Sequence, residues 1–387
     1  MKSGPLARFR VVDLSRVLAG PFCGQMLADM GADVIKVEPP WGDDNRRWAP
    51  FNSEGESCNF MSVNRGKRSL TLNLKQDHDR GILDKLLETS DVLLHSFLPS
   101  TVEALNLSYE ALHARFPKLV VCSLSGYGAN GPLRDVRAYD VMLQAFTGAM
   151  SVTGEAGRPP VRAGISYIDL STGIFAYSGI LTALWSREKT NLGEHVRVSL
   201  LESGLALLGF HGISYLETGW VPQPAGSGMS YLFPYQAFRC SDAYVVTGAN
   251  NEGQWKRFAT AMGLGDLADD PRFATNTARL ENRESLLPVL EQIFLTRTAA
   301  EWVEHLLKVD LPAQKIYTVA EAVQHEQTLA NGMIHTIERP DRIPLRLMGL
   351  PFKVGDVRPS SSPPPDLGQH SAEILEELGI VAKEVSG

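Results

Sequence analysis

Residues 10–38 read RVVDLSRVLAGPFCGQMLADMGADVIKVE and contain the first evidence of how the chain folds. The apolar run at 10–14 predicts a strand, and AGP at 19–21 predicts a turn. The apolar spacing over 22–30 predicts a helix that ends at Gly31. Residues 33–38 form a second strand-like run. A strand, a helix and a second strand in this order are typical of a βαβ unit with parallel strands.

The same alternation continues along the next part of the chain. Apolar runs at 91–95 and 119–123 each follow an amphipathic stretch, at 81–88 and 109–116. We therefore predict an α/β fold with a doubly wound, Rossmann-like parallel sheet. Ligands of such sheets bind beyond the carboxyl ends of the strands. The segments that follow the predicted strands are therefore the first candidates for a site, and these are 15–21, 39–48, 96–100 and 125–132.

The pattern changes after Gly164 and predicts a second domain. Asp169 opens a long apolar stretch that predicts a helix to about Ser186, and 194–199 predicts a further strand. We predict a large domain over 1–200, a linker over 201–225, a smaller α+β domain over 226–330, and a return to the large domain over 331–387.

Composition limits the class of protein. The chain has 387 residues, of which 44% are hydrophobic and 21% charged, as in soluble globular proteins. Its net charge is -7 and it has no basic stripe, so nothing favours a nucleic-acid partner. The longest apolar run, 174–185, is shorter than the ~20 residues of a membrane helix, and we expect no membrane partner.

The location and the cofactors are predicted from missing patterns in the sequence. The start of the chain lacks an apolar signal region, and the four cysteines are widely separated without a CxxC pair, so we expect a cytoplasmic protein without disulfides or a metal site. No GxGxxG follows the first strand, and neither GxxxxGK[ST] nor HExxH occurs. We predict no tightly bound cofactor.

Two features leave their role open at this stage. Asp169 stands before an apolar helix, so it is either a helix cap or a nucleophile whose ionised form the helix N-terminus favours. Residues 64–68, NRGKR, place three cations beside a predicted strand, where they either meet phosphates or form a solvated loop.

Several segments together resemble the class III CoA-transferases, the family of formyl-CoA transferase and the carnitine CoA-transferases. The resemblance covers nearly the whole chain, and its strength comes from the order and spacing of the matches. The matching segments are DLSRVLAGP at 13–21, GADVIKVE at 31–38, GDD at 42–44, NRGKRSLTLNLK at 64–75, SGYG at 125–128, AYD at 138–140 and LGQH at 367–370.

The resemblance implies a Rossmann-like large domain formed by both chain ends, a small domain, and a homodimer of two interlocked rings. It also implies that Asp169 is the nucleophile and that coenzyme A enters as a substrate. CoA would pass from an acyl-CoA donor, succinyl-CoA by resemblance, to a small carboxylic or dicarboxylic acid through a covalent aspartyl-CoA intermediate.

Further site residues are carried over from the family by position. The positions that resemble the CoA groove are Val17, Leu18, Leu72, Lys75, Ser96, Phe97, Arg137 and Tyr139. For Val17, Leu72 and Phe97 the alternative is ordinary core packing. Backbone N–H groups near Gly226 and Gly228 are the candidates for binding the oxyanion, although this chain lacks the continuous glycine run of formyl-CoA transferase.

Two other functions compete with CoA transfer. The related α-methylacyl-CoA racemases move a proton at the α-carbon and have a histidine in the segment that reads Arg137-Ala138-Tyr139-Asp140 here. Tyr139, with a reference pKa near ~10, is a poor replacement for an imidazole, which favours the transferase. A non-enzymatic CoA-binding regulator is the other alternative. The sequence does not select the acceptor acid.

Overall fold

The computed structural model describes residues 4–380 and contains a six-stranded parallel sheet. The strand order is β3-β2-β1-β4-β5-β6, and every neighbouring pair is parallel. This order places β1 and β4, where the direction of winding reverses, side by side. The strands are β1 Arg10–Leu14, β2 Asp33–Glu38, β3 Arg68–Thr71, β4 Val92–His95, β5 Val120–Ser125 and β6 His195–Ser199.

Helices cover both faces of this sheet, as the predicted βαβ units require. The helices of the chain are α1 Ala19–Asp29, α2 Cys58–Met61, α3 Asp77–Glu88, α4 Pro99–Ala104, α5 Tyr109–Arg115, α6 Asp140–Phe146, α7 Tyr167–Thr190, α8 Leu200–Leu207, α9 Phe210–Thr218, α10 Glu252–Ala261, α11 Asn276–Glu281, α12 Arg283–Phe294, α13 Ala299–Leu307, α14 Val319–Gln324, α15 Glu326–Ala330 and α16 Ser371–Glu377. The prediction of an α/β fold with a parallel sheet is therefore confirmed.

Each face of the sheet has its own apolar core. Side chains that alternate along the strands point to opposite faces. On one face, Cys23 of α1 and Ile180 of α7 pack with Val11 of β1. On the other face, Leu86 of α3 and Ile374 of α16 belong to the second core. α16 is the last described helix, and its Ile374 packs in this core. The C-terminal part of the chain therefore returns to the large sheet.

Gly173 allows α1 and α7 to approach closely. A Cβ atom at Gly173 would lie 2.6 Å from the carbonyl oxygen of Ala19 and 3.2 Å from the ring of Phe22. Glycine therefore sets how near α7 can lie to α1 and to the turn that follows β1.

α7 is also the one helix within residues 4–380 that is long and apolar enough to cross a membrane by length and composition. Ala176, Ile180 and Leu184 of α7 are buried against the sheet. The core helix of a soluble protein meets the same criterion.

The chain divides into two compact units. The first consists of Met1–Thr147, Gly164–Gly209 and Glu326–Gly387, and the second consists of Gly148–Ala163 and Phe210–His325. The second unit contains an antiparallel sheet of β7 Tyr235–Arg239, β8 Tyr244–Gly248 and β9 Ala313–Lys315. Its core is built around aromatic residues, including Trp255, Phe294 and Trp302. The first unit also has a small antiparallel pair, β10 Ile334–Ile337 and β11 Leu345–Met348.

The predicted linker over 201–225 is wrong for most of its length. Residues 200–207 and 210–218 are helical, as α8 and α9, and only the Gly- and Pro-containing stretch beyond Thr218 is irregular. The boundary between the units falls after Gly209, and residues 148–163 join the second unit. The linker prediction rests on the Gly- and Pro-rich residues 219–228, and it extends too far back, over α8 and α9, whose apolar spacing permits helices.

Candidate active site

The turns after β1, β2 and β4 meet at the carboxyl edge of the sheet. The N–H of Arg16, after β1, donates to Oγ of Ser96, after β4, at 3.2 Å. The N–H of Val17 donates to both carboxylate oxygens of Asp43, after β2, each at 3.2 Å. The structure thus brings together Val17 and Ser96, two of the residues predicted for the CoA groove, at the place where ligands of parallel sheets bind.

Val17 has an unusual backbone conformation. Its φ is 69°, in the left-handed region, where a β-branched side chain is a genuine outlier. A residue held there costs about 1–3 kcal/mol and needs its surroundings to fix it. Besides the N–H bonds to Asp43, the carbonyl of Val17 accepts from Nδ2 of Asn45 at 2.6 Å.

Buried ion pairs lie beneath this turn. Nζ of Lys36 donates to Asp43 at 2.9 Å, and Nζ of Lys67 donates to Asp13 at 2.9 Å, with all four side chains at most 1% exposed. Burial lowers the pKa of Lys67 to about 8, although Asp13 opposes this shift. Asp13 also accepts from the N–H of Ser15 at 2.9 Å, which fixes the start of the turn.

The cationic segment 64–68 has neither of its two predicted roles. Arg65 forms a bidentate pair with Asp29, at 2.9 and 2.6 Å, and is only 2% exposed. Lys67 is buried against Asp13, and Arg68 pairs with Asp33 and Glu377. These cations neutralise carboxylates that lie far away in the sequence, so a charge run that suggests solvent or phosphate is structural here.

Asp169 is the third residue of α7 and does not cap this helix. Asp140, at the start of α6, performs that role. One of its carboxylate oxygens accepts from the N–H of Ile168 at 2.9 Å and from the N–H of Asp169 at 3.2 Å. Its other oxygen accepts from Nε2 of Gln144 at 2.5 Å. Ser166, at the N-cap position, makes no side-chain capping bond.

The Asp169 carboxylate is therefore available for chemistry. Within residues 4–380, no group donates a hydrogen bond to it. Burial raises its pKa to about 7, and the nearby Asp140 carboxylate adds to the rise. The N-terminus of α7 favours the ionised form and opposes both effects. A carboxyl group that titrates near neutrality, with its lone pairs unused, suits nucleophilic attack.

The other predicted groove residues differ in accessibility. Leu72 is 4% exposed and lies in the core with Leu83 and Leu86, so its side chain packs rather than facing a ligand. Phe97 is partly buried and stacks on His95, with ring centroids 5.8 Å apart. The remaining side chains are at least partly accessible, and these are Leu18, Lys75, Ser96, Arg137 and Tyr139.

The oxyanion prediction for Gly226 and Gly228 meets an obstacle in the structure. Both glycines lie in the second unit, and their N–H groups already donate to backbone carbonyls, of Gly154 at 2.8 Å and of Ala225 at 3.0 Å. Neither N–H is free for an oxyanion in this conformation. The Gly228 bond closes a local turn, but the Gly226 bond joins residues that lie far apart in the sequence, so local pattern could not reveal it.

A cleft of about 510 Å³ lies along the carboxyl ends of β4, β5 and β6. Oγ of Ser123 and Nε2 of His195 are 2.7 Å apart there, and the His195 ring stacks on Tyr109 at 4.9 Å. Burial lowers the pKa of His95 to about 4, so this imidazole is neutral. The glycine-rich loop at 125–132 lines the cleft through Gly128.

Sequence reasoning missed the role of Asp140, Asp43 and Asn45. The first two lie in segments AYD and GDD, which were noted only as matches to a family. No group of three or more His, Cys, Asp or Glu side chains that could hold a metal occurs in the described part of the chain.

The fold and the site define a class of protein. A parallel α/β sheet whose strand-end turns meet at one edge is typical of an enzyme that binds a small-molecule ligand there, and the Asp169 carboxylate at the start of α7 is the candidate for its chemistry.

The chain belongs to CoA-transferase family III, whose sequence model matches residues 6–371. It is 34% identical over 376 residues to the succinyl-CoA:glutarate CoA-transferase of Homo sapiens, covering 97% of this chain and 86% of that protein. It is 38% identical over 333 residues to the acetyl-CoA:oxalate CoA-transferase of Acetobacter aceti, covering 86% of this chain and 85% of that protein.

A solved structure has the same fold. A CAIB/BAIF family protein from Brucella suis is 36% identical and superposes with a TM-score of 0.87, over 98% of this chain and all of that one. The family resemblance is confirmed, and the chain is a CoA-transferase.

Proposed function

We propose that this enzyme transfers CoA from an acyl-CoA donor to a small carboxylic or dicarboxylic acid through a covalent intermediate on Asp169. The observation that carries the proposal is that Asp140, and not Asp169, caps the start of α7. Asp140 accepts the hydrogen bonds of the helix N-terminus, at 2.9 and 3.2 Å, so the Asp169 carboxylate keeps its lone pairs.

The reaction takes place in balanced steps. A carboxylate oxygen of Asp169 attacks the thioester carbon of the donor, which forms an acyl-aspartyl anhydride and releases CoA thiolate. The thiolate then attacks the aspartyl carbonyl carbon, which leaves a CoA thioester on Asp169 and frees the donor acid as a carboxylate. The acceptor carboxylate then attacks the aspartyl carbonyl carbon of this thioester, which forms a second anhydride and releases CoA thiolate. The thiolate attacks the acceptor carbonyl carbon of the anhydride, which yields the new acyl-CoA and regenerates the Asp169 carboxylate.

The groove residues would bind CoA in different ways. Lys75 is exposed and makes no ion pair with the described residues, which suits a phosphate. Arg137 is also exposed and could pair with a phosphate or stack on the adenine. Ser96 offers a hydroxyl at the edge of the sheet, and the backbone of Val17 and Leu18 lies beside it. Tyr139, 50% exposed, is the position that distinguishes this chain from the racemases.

The relatives support the choice of substrates. Proteins named for exchange between succinyl-CoA and glutarate, and between acetyl-CoA and oxalate, are 34–38% identical to this chain. Succinyl-CoA as donor and a small dicarboxylic acid as acceptor are the corresponding proposal. An acceptor screen against succinyl-CoA, read by mass spectrometry of the thioester products, identifies the acid.

We also propose that the enzyme is a cytoplasmic homodimer of interlocked rings. Exposed apolar side chains on α8, and separately on α9, support an interface, since exposed apolar surface marks sites of protein–protein contact. These side chains are Leu205, Leu207, Phe210, Ile213 and Leu216. Light scattering on the purified protein measures the mass. A single chain of 42.4 kDa in solution would contradict the dimer.

The test of the nucleophile combines a variant with chemical trapping. Asp169→Asn keeps the size of the side chain but cannot form the anhydride, so CoA exchange should fall to background while CoA binding persists. Wild-type enzyme incubated with succinyl-CoA and hydroxylamine should carry a hydroxamate at Asp169, found by peptide mass spectrometry. Asp84→Asn, in an exposed pair with Arg115, is the matched control and should keep full activity.

Two results would overturn the proposal. Exchange retained in Asp169→Asn would exclude the covalent role and would leave a binding function for the carboxylate. Deuterium uptake at the α-carbon of a chiral 2-methylacyl-CoA in deuterated water, without any acceptor acid, would instead favour racemase chemistry.

A further inference from the structure

Five residues other than glycine have a positive φ within the described chain, and Val17 differs from the rest. The other four are Asn106, Asn191, Asp310 and Asp341. Asn and Asp tolerate the left-handed region because their short polar side chains can bond locally. Valine has no such compensation, and its branched Cβ makes this conformation unfavourable. The surroundings of Val17 must therefore impose it.

Two buried side chains bond to the backbone of Val17, one to its N–H and one to its carbonyl. Asp43 accepts from the N–H of Val17 with both oxygens, each at 3.2 Å, and Asn45 donates to the carbonyl at 2.6 Å. Each of these two side chains belongs to a residue that is 1% exposed. Asp43 is itself fixed by Lys36 at 2.9 Å, and its N–H donates to Glu38 at 3.0 Å.

This arrangement is poorly explained as a device for stability. A buried ion pair adds little to stability, because desolvation offsets the attraction. A glycine at position 17 would adopt the same φ without strain. Strained residues that the surrounding structure fixes are concentrated at ligand clamps and active sites. The turn of Val17 lies at the carboxyl edge of the sheet, next to Ser96 through the N–H of Arg16.

We infer that Asp43 is a positioning residue that, together with Asn45, clamps Val17 in the left-handed conformation in which the β1–α1 turn binds acyl-CoA. Asp43 does not touch the substrate and acts only through the backbone of Val17. Its loss should therefore weaken CoA binding and leave the chemical step nearly unchanged. This inference rests on the proposed function where it takes the β1–α1 turn as part of the CoA groove.

The experiment is a double-mutant cycle on positions 17 and 43. Asp43→Asn should raise the KM for succinyl-CoA and the Kd of free CoA by about tenfold, an energy of about 1.4 kcal/mol, while kcat stays within about twofold. Val17→Gly is the second single variant, and its own Kd is the reference at position 17, because Val17 itself belongs to the proposed CoA groove. Adding Asp43→Asn to Val17→Gly should weaken binding by less than about threefold, because glycine needs no clamp to reach φ 69°.

A purely structural role for Asp43 gives a different result. Its loss would then lower the Tm and the binding together, and by the same amount whether valine or glycine stands at position 17. A double variant that binds about tenfold more weakly than Val17→Gly, or an Asp43→Asn variant that binds like wild type, would overturn the inference. Asp84→Asn is again the control for loss of a carboxylate and should leave the Kd unchanged.

Asp43→Asn leaves Lys36 buried without its ion pair, so this variant could fail to fold. Asn45→Ala then replaces it in the cycle, since it releases the carbonyl of Val17 without leaving a buried charge unpaired. Its effect on the Kd should likewise shrink to less than about threefold on the Val17→Gly background, and an undiminished effect would overturn the clamp. Calorimetric binding of free CoA does not depend on turnover. If wild type fails to turn over succinyl-CoA, the proposed substrate is wrong, and the clamp is still decided by the Kd values.

Discussion

Asparagine at position 169 should make the protein more stable, and the gain should depend on pH. The variant keeps the size of the side chain and removes the charge from a partly buried site. Burial and the Asp140 carboxylate raise the pKa of Asp169 from 3.8 to about 7. Between these two pKa values, Asp169 ionises in the unfolded chain but stays protonated in the folded protein. The expected gain is small at pH 5 and larger at pH 8.

The sign follows from the two pKa values. Below pH 3.8 the carboxyl group is protonated in both states, so it costs no stability. As the pH rises from there to about 7, only the unfolded state ionises, and wild type is progressively destabilised. Above about pH 7 the cost is constant. Asparagine never ionises and never incurs it.

The magnitude comes from the same shift. One pKa unit corresponds to 1.36 kcal/mol, so a rise of about three units sets an upper limit of about 4 kcal/mol. Because Asp169 keeps some contact with solvent, screening reduces this to roughly half, about 2 kcal/mol at pH 8. About 1 kcal/mol of the gain should develop between pH 5 and pH 8.

Urea unfolding at pH 5 and pH 8, followed by tryptophan fluorescence at one protein concentration, measures the effect. Asp84→Asn is the control, since Asp84 is exposed and its pair with Arg115 should contribute under about 1 kcal/mol at either pH. An equal difference between Asp169→Asn and wild type at both pH values would refute the raised pKa. A variant less stable than wild type at pH 8 would show instead that the ionised carboxylate stabilises the fold.

Three further predictions concern the pH profile, a buried ion pair and the packing of helices. Transferase activity should fall about tenfold for each pH unit below about pH 7, because only the ionised Asp169 carboxylate attacks. Asp140→Asn should move this fall to lower pH, and an unchanged pH–rate profile would contradict the electrostatic effect of Asp140 on Asp169. Lys67→Met leaves the buried Asp13 carboxylate without its ion-pair partner and should lower the free energy of unfolding at pH 7 by about 3–5 kcal/mol, as measured by urea unfolding. A loss of under about 1 kcal/mol would mean that water reaches the Asp13 carboxylate. Gly173→Ala crowds α1 and should lower the free energy of unfolding by about 1–3 kcal/mol. Gly81→Ala in α3 is the control, because its Cβ would meet nothing within 4 Å, and it should raise the free energy of unfolding by about 0.4–1 kcal/mol. Similar changes in Tm at both positions would contradict the close approach of α7 to α1.

Local pattern was sufficient to predict the elements of the large sheet. Strand-length apolar runs separated by amphipathic helices gave β1, β2, β4 and β5, and their order along the chain requires parallel pairing through crossovers. Residue type and position left Asp169 as either a helix cap or a nucleophile, and only the resemblance of segments along nearly the whole chain to a family made it the candidate nucleophile. The start of the linker was predicted poorly, since the Gly- and Pro-rich residues 219–228 mark an irregular stretch but do not show where the helix before it lies.

The sequence by itself determined the class of fold, because strands and helices follow from residues that lie close together in the chain. It also selected Asp169 as the candidate nucleophile, through the order and spacing of segments that resemble one family along nearly the whole chain. Only the tertiary structure decided what the charged residues do. Asp140 caps α7 across 28 residues, Lys67 neutralises Asp13 across 54, and Asp43 holds Val17 across 26. Electrostatic and hydrogen-bond energies depend on distance in space and on burial, and neither is written in the local order of the residues.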